Sequence, residues 1–267
     1  MQRQLSAIML AGGYGSFRGP RGVKISKVTA MLGGKPIVRH IFDNLESTGL
    51  FAKYYVVTNT TYHSQIERAL HGCRNVHYTT QPYRLGTAGA VALALRGASH
   101  EEEHVVIVYG DMPLWRRETF HLLVNRHLAG DNPKLTAVTI PYVPGTPVEN
   151  YGRAVFGPSG KFLGTIDDPN FVDRDKFKYA ARVNPSLYVG CVAWLKKVIP
   201  KLRPVAKKDG YPSERLMQSL IPKACKTNGI ACVEVDDHEQ AYGVNKLPEL
   251  RLARQIYARR QQLACRA

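Results

Sequence analysis

Hydrophobic residues recur along the first half of the chain in two alternating rhythms. LSAIML (5–10), KYYVVT (53–58), a shorter run at 76–78, HVVIVYG (104–110) and KLTAVTI (134–140) are brief apolar runs, the pattern of strands buried on both faces. Between them lie stretches with helical spacing. From Pro36 to Thr48, Ile37, Ile41 and Leu45 share one face and Pro36 suits a first turn. Tyr62 to Leu70, the alanine-rich TAGAVALALRG (87–97) and Glu118 to Leu128 read as further helices. Strands that alternate with helices predict an α/β protein with a mostly parallel, Rossmann-like sheet covered on both faces.

Beyond residue 140 the rhythm changes. Tyr151 to Asp168 reads as short strands parted by a PSG turn, and Tyr179 to Val192 is again strand-like. This predicts a small β-rich insertion lying over the sheet. Helices return near 212–228 and from Pro248 onward. No internal repeat appears, and the hexapeptide period of a left-handed β-helix is missing.

Composition narrows the class. A chain of 267 residues, 44% hydrophobic, has room for a substantial core. Its apolar runs stop short of the roughly 20 residues that span a bilayer. MQRQLSAIMLAGG runs straight into a glycine turn and makes a poor signal peptide, so a cytoplasmic location is expected. Cys73, Cys191, Cys225, Cys232 and Cys265 are scattered without a CxxC pair, which fits reduced thiols better than a disulfide frame or a zinc site. Thirty-seven basic against 21 acidic residues give a net charge of +16. That field attracts polyanions, although a solvated basic face has the same composition.

Three features fall at the carboxyl ends of predicted strands, where open α/β sheets bind ligands. The first is LAGGYGSFRGPRGVKISK (10–27). Gly12, Gly13 and Gly15 let backbone amides approach a phosphate chain closely, and Arg18, Arg21, Lys24 and Lys27 bring charge to hold it. A plain glycine turn is the other reading. A dinucleotide fingerprint lacks its third glycine here, Pro20 and a basic loop stand where its helix belongs, and no GK[ST] closes a P-loop. The second, QPYRLGTAGAV (81–91), joins Gln81, able to read the polar edge of a base, to a helix start; an ordinary loop and cap would look alike. The third, YGDMPL (109–114), sets Asp111 at a strand tip, where it suits either a hard cation such as Mg2+ or a simple turn. His100 and His104 have i,i+4 spacing but read as solvated residues of a charged loop, and the terminal helix reads as packed with a basic outer face.

LAGG with its basic loop, SKVTAMLGGKPIVRHI, QPYRLGTAGAV, YGDMPL, NYGRAVF, GKFLGTIDD and AYGVN occur in one order. Taken together they resemble the sugar-1-phosphate nucleotidyltransferase family, most of all its uridylyltransferases that make UDP-N-acetylglucosamine, over residues 5–262. The resemblance implies the nucleotide-diphospho-sugar transferase fold in a single domain, 1–267. Residues 1–140 would form a nucleotide-binding half, and 141–267 a sugar-binding half with the terminal helix. By position it implies that Leu10, Ala11, Gly12, Gly13, Gly15, Gln81, Gly86, Thr87 and Gly110 bind the nucleotide. It assigns catalytic roles to Arg18, Lys27 and Asp111, Mg2+ to Asp111 and Asn245, and the sugar to Gly152, Asp167 and Asn184. Asp167 stands where the family usually has Glu.

The chain also departs from the pattern. Phe17 occupies the usual arginine position with Arg18 one place later, the loop to Lys27 is longer, and Ser26 replaces a proline, so Arg21 or Lys24 shares the phosphate role. Arg84 stands where uridylyltransferases often carry a second Gln, and VNPSL replaces INTG. The implied reaction joins a nucleoside triphosphate, UTP or dTTP by preference, to a sugar 1-phosphate, N-acetylglucosamine 1-phosphate or glucose 1-phosphate by preference. It releases pyrophosphate and leaves a nucleotide sugar. The alternatives are a CTP-using enzyme with another phosphorylated acceptor, or a catalytically inactive regulatory homologue. No membrane partner is expected, no recognised motif supports nucleic acid, and a homo-oligomer is left open.

Overall fold

The computed structural model describes residues 5–19, 22–97, 102–166, 181–206, 213–227 and 229–265. LSAIML becomes β1 (Leu5–Leu10), at the centre of the sheet because both its faces are apolar. A hairpin follows, β2 (Ser16–Arg18) against β3 (Lys24–Ser26), and then a two-residue pair, β4 (Met31–Leu32) with β5 (Lys35–Pro36). The helical and strand rhythms then alternate as α1 (Ile37–Glu46), β6 (Lys53–Asn59), α2 (His63–Ala69), β7 (Val76–Gln81), α3 (Thr87–Gly97), β8 (His104–Tyr109), α4 (Arg117–Leu128) and β9 (Leu135–Pro141). The second half adds β10 (Arg153–Phe156), β11 (Phe162–Ile166), β12 (Arg182–Val183), β13 (Tyr188–Cys191), α5 (Val192–Val198), α6 (Ile221–Cys225), β14 (Ile230–Glu234) and α7 (Leu247–Ala264).

β7, β6, β1 and β8 run parallel as neighbours. The period-two alternation of strand side chains divides the interior between the two faces. Met9, Val56, Val106 and Val108 face α1, α4 and α7, while Ile8, Tyr55, Val57, Val105 and Ile107 face α3, α5 and α6. On α1, Ile37, Ile41 and Leu45 are all at or below 1% exposure, and each buried aliphatic side chain of this size contributes roughly 1.5–3 kcal/mol. Helices therefore cover both faces, as the alternation of elements requires. Among the described residues no helix is long and apolar enough to cross a membrane.

The second half departs from the expected picture in its connections. β13 inserts antiparallel between β8 and β9, and β14 pairs parallel with the other edge of β9. The β-rich insertion does not lie over the sheet but extends it edgewise, since β12 pairs with β9 at Val183–Ile140 and carries β10 and β11 with it. The strand-like stretch near 179–192 is broken at 184–187, where NPSL interrupts the ladder. Helix α5 and strand β14 come from VAWLKKV and IACVE, segments too short to show a period. Of the helix expected across 212–228, the described residues form a 3-10 turn (Met217–Leu220) and the short α6, because Pro222 permits only a first turn. His104 is also placed differently: it opens β8, its side chain is 13% exposed, and its Nδ1 lies 3.0 Å from His127 Nε2. His100 lies outside the described residues.

Candidate functional site

β1, β7 and β8 end at Leu10, Gln81 and Tyr109, and over those ends opens a cleft of about 670 Å3. The glycine turn after β1 forms its floor. Ala11 N–H donates to Val57 O at 2.9 Å and Gly110 N–H to Leu10 O at 2.9 Å, so the tips of three strands are tied together. Asn59, fully buried at the end of β6, donates from its side chain to Gly13 O at 2.9 Å. Gln81 donates from Nε2 to Gly12 O at 2.6 Å, while its buried Oε1 has no protein partner. A Cβ on Gly12 would lie 2.6 Å from that Nε2, so the close approach requires glycine.

Lys27 follows the β2–β3 hairpin, and its N–H donates to Gly15 O at 3.0 Å, which turns the side chain back beneath the glycine turn. Its ammonium donates to Asp111 Oδ2 and, at 2.5 Å, to Asn245 Oδ1. Both members of the Lys27–Asp111 pair are mostly buried, with side chains 16% exposed. Asp111 is held by its own carbonyl, which accepts from Val244 N–H at 2.8 Å. Asn245 is held through the start of α7: Glu249 Oε2 accepts from the N–H groups of Asn245 at 2.5 Å and Lys246 at 2.9 Å. Tyr151 closes this end, donating to Ala241 O at 2.8 Å. Burial, reinforced by the nearby Asp111 carboxylate, pushes its phenol well above the ordinary range and keeps it neutral.

At the other end, Gly86 has a left-handed φ of +76°, and a Cβ there would meet Arg215 O at 2.4 Å. That carbonyl accepts from Ala88 N–H at 2.9 Å, and Thr87 Oγ1 accepts from Met217 N–H at 2.9 Å. The segment carrying Glu214 is thereby clamped to the start of α3. Arg84 lies over the Tyr14 ring, 5.4 Å from its centroid.

The cleft thus brings together Leu10, Gly12, Gly13, Gly15, Lys27, Gln81, Gly86, Thr87, Asp111, Asn184 and Asn245. It does not bring in every residue singled out from the sequence. Arg18 is exposed on β2 outside the lining, because hairpin alternation gives the inward position to Phe17. Ala11 is buried beneath the turn, Gly110 allows β8 to approach β1, and Gly152 serves through its carbonyl, which accepts from Asn184 N–H at 2.8 Å. Asp167 and Arg21 lie outside the described residues. The lining also contains Tyr14, Tyr151, Ser186 and Glu214, none of them singled out from the sequence. Tyr14 stood inside the glycine motif and was legible there. The other three lie on turns and loops whose facing direction only the tertiary fold decides.

A mostly parallel sheet with a glycine turn and a Lys–Asp–Asn cluster over its carboxyl ends defines a nucleotidyltransferase-type α/β protein. The chain belongs to the MobA-like NTP transferase domain family, whose model matches residues 7–173. It is 27% identical over 258 residues to the bifunctional protein GlmU of Caldicellulosiruptor saccharolyticus, covering 96% of this chain and 52% of that protein. The chain spans about half the length of the curated relatives it matches. In fold it is similar to a CMP:2-keto-3-deoxy-manno-octonic acid synthetase complexed with CTP, at a TM-score of 0.71 and 16% identity over 96% of this chain and 99% of the other. It is likewise similar to a protein described as a glucose-1-phosphate thymidylyltransferase of Bacillus anthracis, at a TM-score of 0.69 and 15% identity over 94% of each. The family resemblance carried by the ordered motifs is borne out.

Proposed function

We propose that this chain transfers a nucleotidyl group from a nucleoside triphosphate, UTP or dTTP by preference, to a sugar 1-phosphate such as N-acetylglucosamine 1-phosphate or glucose 1-phosphate. The products are a nucleotide sugar and pyrophosphate. The observation that carries this reading is the convergence of Lys27, Asp111 and Asn245, distant in sequence, at one point beside the glycine turn. In this reading the whole chain acts as one catalytic unit, with 1–140 taking the nucleotide and 141–267 the acceptor.

The donor set suits Mg2+. Among the described residues no three His, Cys, Asp or Glu side chains cluster, so the site rests on one carboxylate and one amide oxygen. Both are hard donors that already converge on a single positive group, and Mg2+ takes few protein ligands, completing its shell with water and phosphate oxygens. Asp111 and Asn245 would hold it, and when bound it offsets charge on the phosphates and on the departing pyrophosphate. Lys27, on a flexible stem, turns its ammonium to the phosphates. The glycine turn admits the triphosphate to the backbone amides. Gln81 spends one of its two amide hydrogens on Gly12 O, and its second N–H and its carbonyl oxygen suit the polar edge of a base.

An acceptor phosphate oxygen attacks the α-phosphorus in line, one P–O bond forming as the bond to the β-phosphate oxygen breaks, and pyrophosphate carries away the electron pair. No covalent intermediate on the protein is needed. Pyrophosphate release, measured with Mg2+ for UTP, dTTP, CTP, ATP and GTP crossed with several sugar 1-phosphates, tests the reading. Release with UTP or dTTP and one sugar phosphate upholds it. Release with CTP and a different phosphorylated acceptor replaces it with the cytidylyltransferase alternative, and silence from folded, nucleotide-binding protein replaces it with the regulatory one.

A further inference from the structure

Positive φ angles identify residues whose side chains are kept against a local cost. Among the described residues three non-glycine positions have φ in the left-handed region: Asn75 at 56°, Asn132 at 42° and Ser186 at 64°. Asparagine visits this region routinely, since its short amide bonds locally; serine does not. The two asparagines lie outside the cleft, and Ser186 lines it. A glycine would take the same backbone shape freely, so the hydroxymethyl group has a reason to be present.

The hydrogen bonds around it show what the hydroxyl is prepared to do. Asn184 is 4% exposed and spends its side chain on this turn, Oδ1 accepting from Ser186 N–H at 3.0 Å and Nδ2 donating to Tyr188 Oη at 2.7 Å. Tyr188 Oη accepts from that amide and directs its own O–H to Ser186 Oγ at 3.4 Å. Ser186 Oγ is therefore an acceptor on its protein side, and its own O–H is directed elsewhere. At 3.4 Å the contact is longer than an ordinary hydroxyl bond, so Oγ retains freedom to shift toward a ligand. Asn184 itself, implied by the family pattern to contact the sugar, acts here as the support of that relay.

We infer that Ser186 determines acceptor specificity, donating its hydroxyl hydrogen to an oxygen on the non-phosphate part of a polyhydroxylated phosphomonoester. This rests on the reading under Proposed function. Asn184 and Tyr188 are positioning residues that set the direction of the donation. The left-handed backbone aims the side chain into the cleft, whereas glycine would leave that wall bare.

Steady-state pyrophosphate release tests this with glucose 1-phosphate and N-acetylglucosamine 1-phosphate as acceptors, using wild type, Ser186→Gly, Ser186→Ala and Tyr188→Phe. Ser186→Gly suits the existing turn and folds, so its kinetics report the loss of the hydroxymethyl group, while Ser186→Ala removes the hydroxyl and keeps the Cβ. For whichever acceptor the wild type uses, both Ser186 variants are expected to raise the acceptor KM five- to twentyfold while the nucleotide KM stays within twofold. Tyr188→Phe is expected to raise the acceptor KM by a smaller factor. The Tm should rank Ser186→Gly above Ser186→Ala. Unchanged acceptor KM in both Ser186 variants of an active enzyme overturns this inference alone. A wild type inactive with every nucleotide and sugar phosphate overturns the functional reading, and the inference with it.

Discussion

Replacing Gly12 by alanine tests whether the glycine turn is shaped by the phosphates or by Gln81, the side chain proposed to read the base. The new Cβ lands 2.6 Å from Gln81 Nε2 and 3.0 Å from Thr58 O. Thr58 is a fully buried residue of β6 whose carbonyl cannot yield, so Gln81 must. Its 2.6 Å bond to Gly12 O is then lost. A buried polar group left unpaired costs about 1–3 kcal/mol, and in a protein of this size each kcal/mol lowers Tm by about 2–4 °C. A fall of roughly 2–12 °C follows from the same figures. On the proposed reading, displacing Gln81 also removes a base contact worth about 1 kcal/mol, so the Kd for UTP is expected to rise about fivefold. Tripolyphosphate, which lacks a base, should bind within twofold of its wild-type affinity. Isothermal titration of both ligands, repeated in a Gln81→Ala background, separates the contributions. Because both changes act through one side chain, Gly12→Ala should add little once Gln81 is gone. Equal losses for UTP and tripolyphosphate, or full additivity, would refute the argument and return Gly12 to the phosphates.

Asp111→Ala and Asn245→Ala are each expected to lower kcat at least a thousandfold, with Tm changed by only a few degrees, and Lys27→Ala about 10²–10³-fold; Arg18→Ala, on the outer hairpin, should cost less than about tenfold, and a larger loss would show that β2 folds over the cleft during turnover. Burial holds the His40 imidazole below its ordinary pKa, outweighing the Leu32 carbonyl that favours protonation. A depressed folded pKa means that the unfolded chain takes up the proton first, so His40 contributes stability that is full above about pH 6.5 and lost as pH falls toward the folded value. Tm measured from pH 7.5 to 5.5 should therefore decline, with a shallower slope in His40→Gln; an identical slope would assign the effect to other groups. Burial pushes the Cys73 and Cys232 thiols up to about 11, whereas Cys265 is exposed. A thiol-reactive chromophore at pH 7.5 should modify Cys265 first and leave those two protected until denaturant is added; early modification of Cys232 would contradict its burial.

The sheet was legible because β1, β6, β8 and β9 are apolar on both faces and each meets a turn signal at its end. Asp111 and Gln81 were legible because a strand's end fixes where the next residue points, and Lys27 because it stands in the basic loop after the glycine turn, at the family's spacing from GGKP. The antiparallel β13 was not, because YVGC reads the same in either direction and only its pairing with β8 and β9 sets its sense. Arg18 shows the limit of positional transfer: a one-residue slip in a strand reverses the facing of every side chain, and here it exchanges Phe17 for Arg18. Glu214 had no signal, and Ser186 only its place in VNPSL, where the chain departs from INTG. One is placed by Arg215 docking on α3, the other by a turn that forms only when Asn184 finds Tyr188.

Asn245 reaches the Lys27 ammonium only because Glu249, in the first turn of α7, holds the preceding backbone. The stretch that carries the family pattern, 7–173, contains the glycine turn, Lys27 and Asp111 but not this second oxygen. A fragment cut to the family boundary would therefore keep the glycine turn, Lys27 and Asp111 and lose the AYGVN segment that supplies Asn245. Any protease that clips before α7 would convert a transferase, on this reading, into a nucleotide-binding remnant. Severed variants that still bind the triphosphate without turning it over would make the last helix the switch between holding a substrate and consuming it.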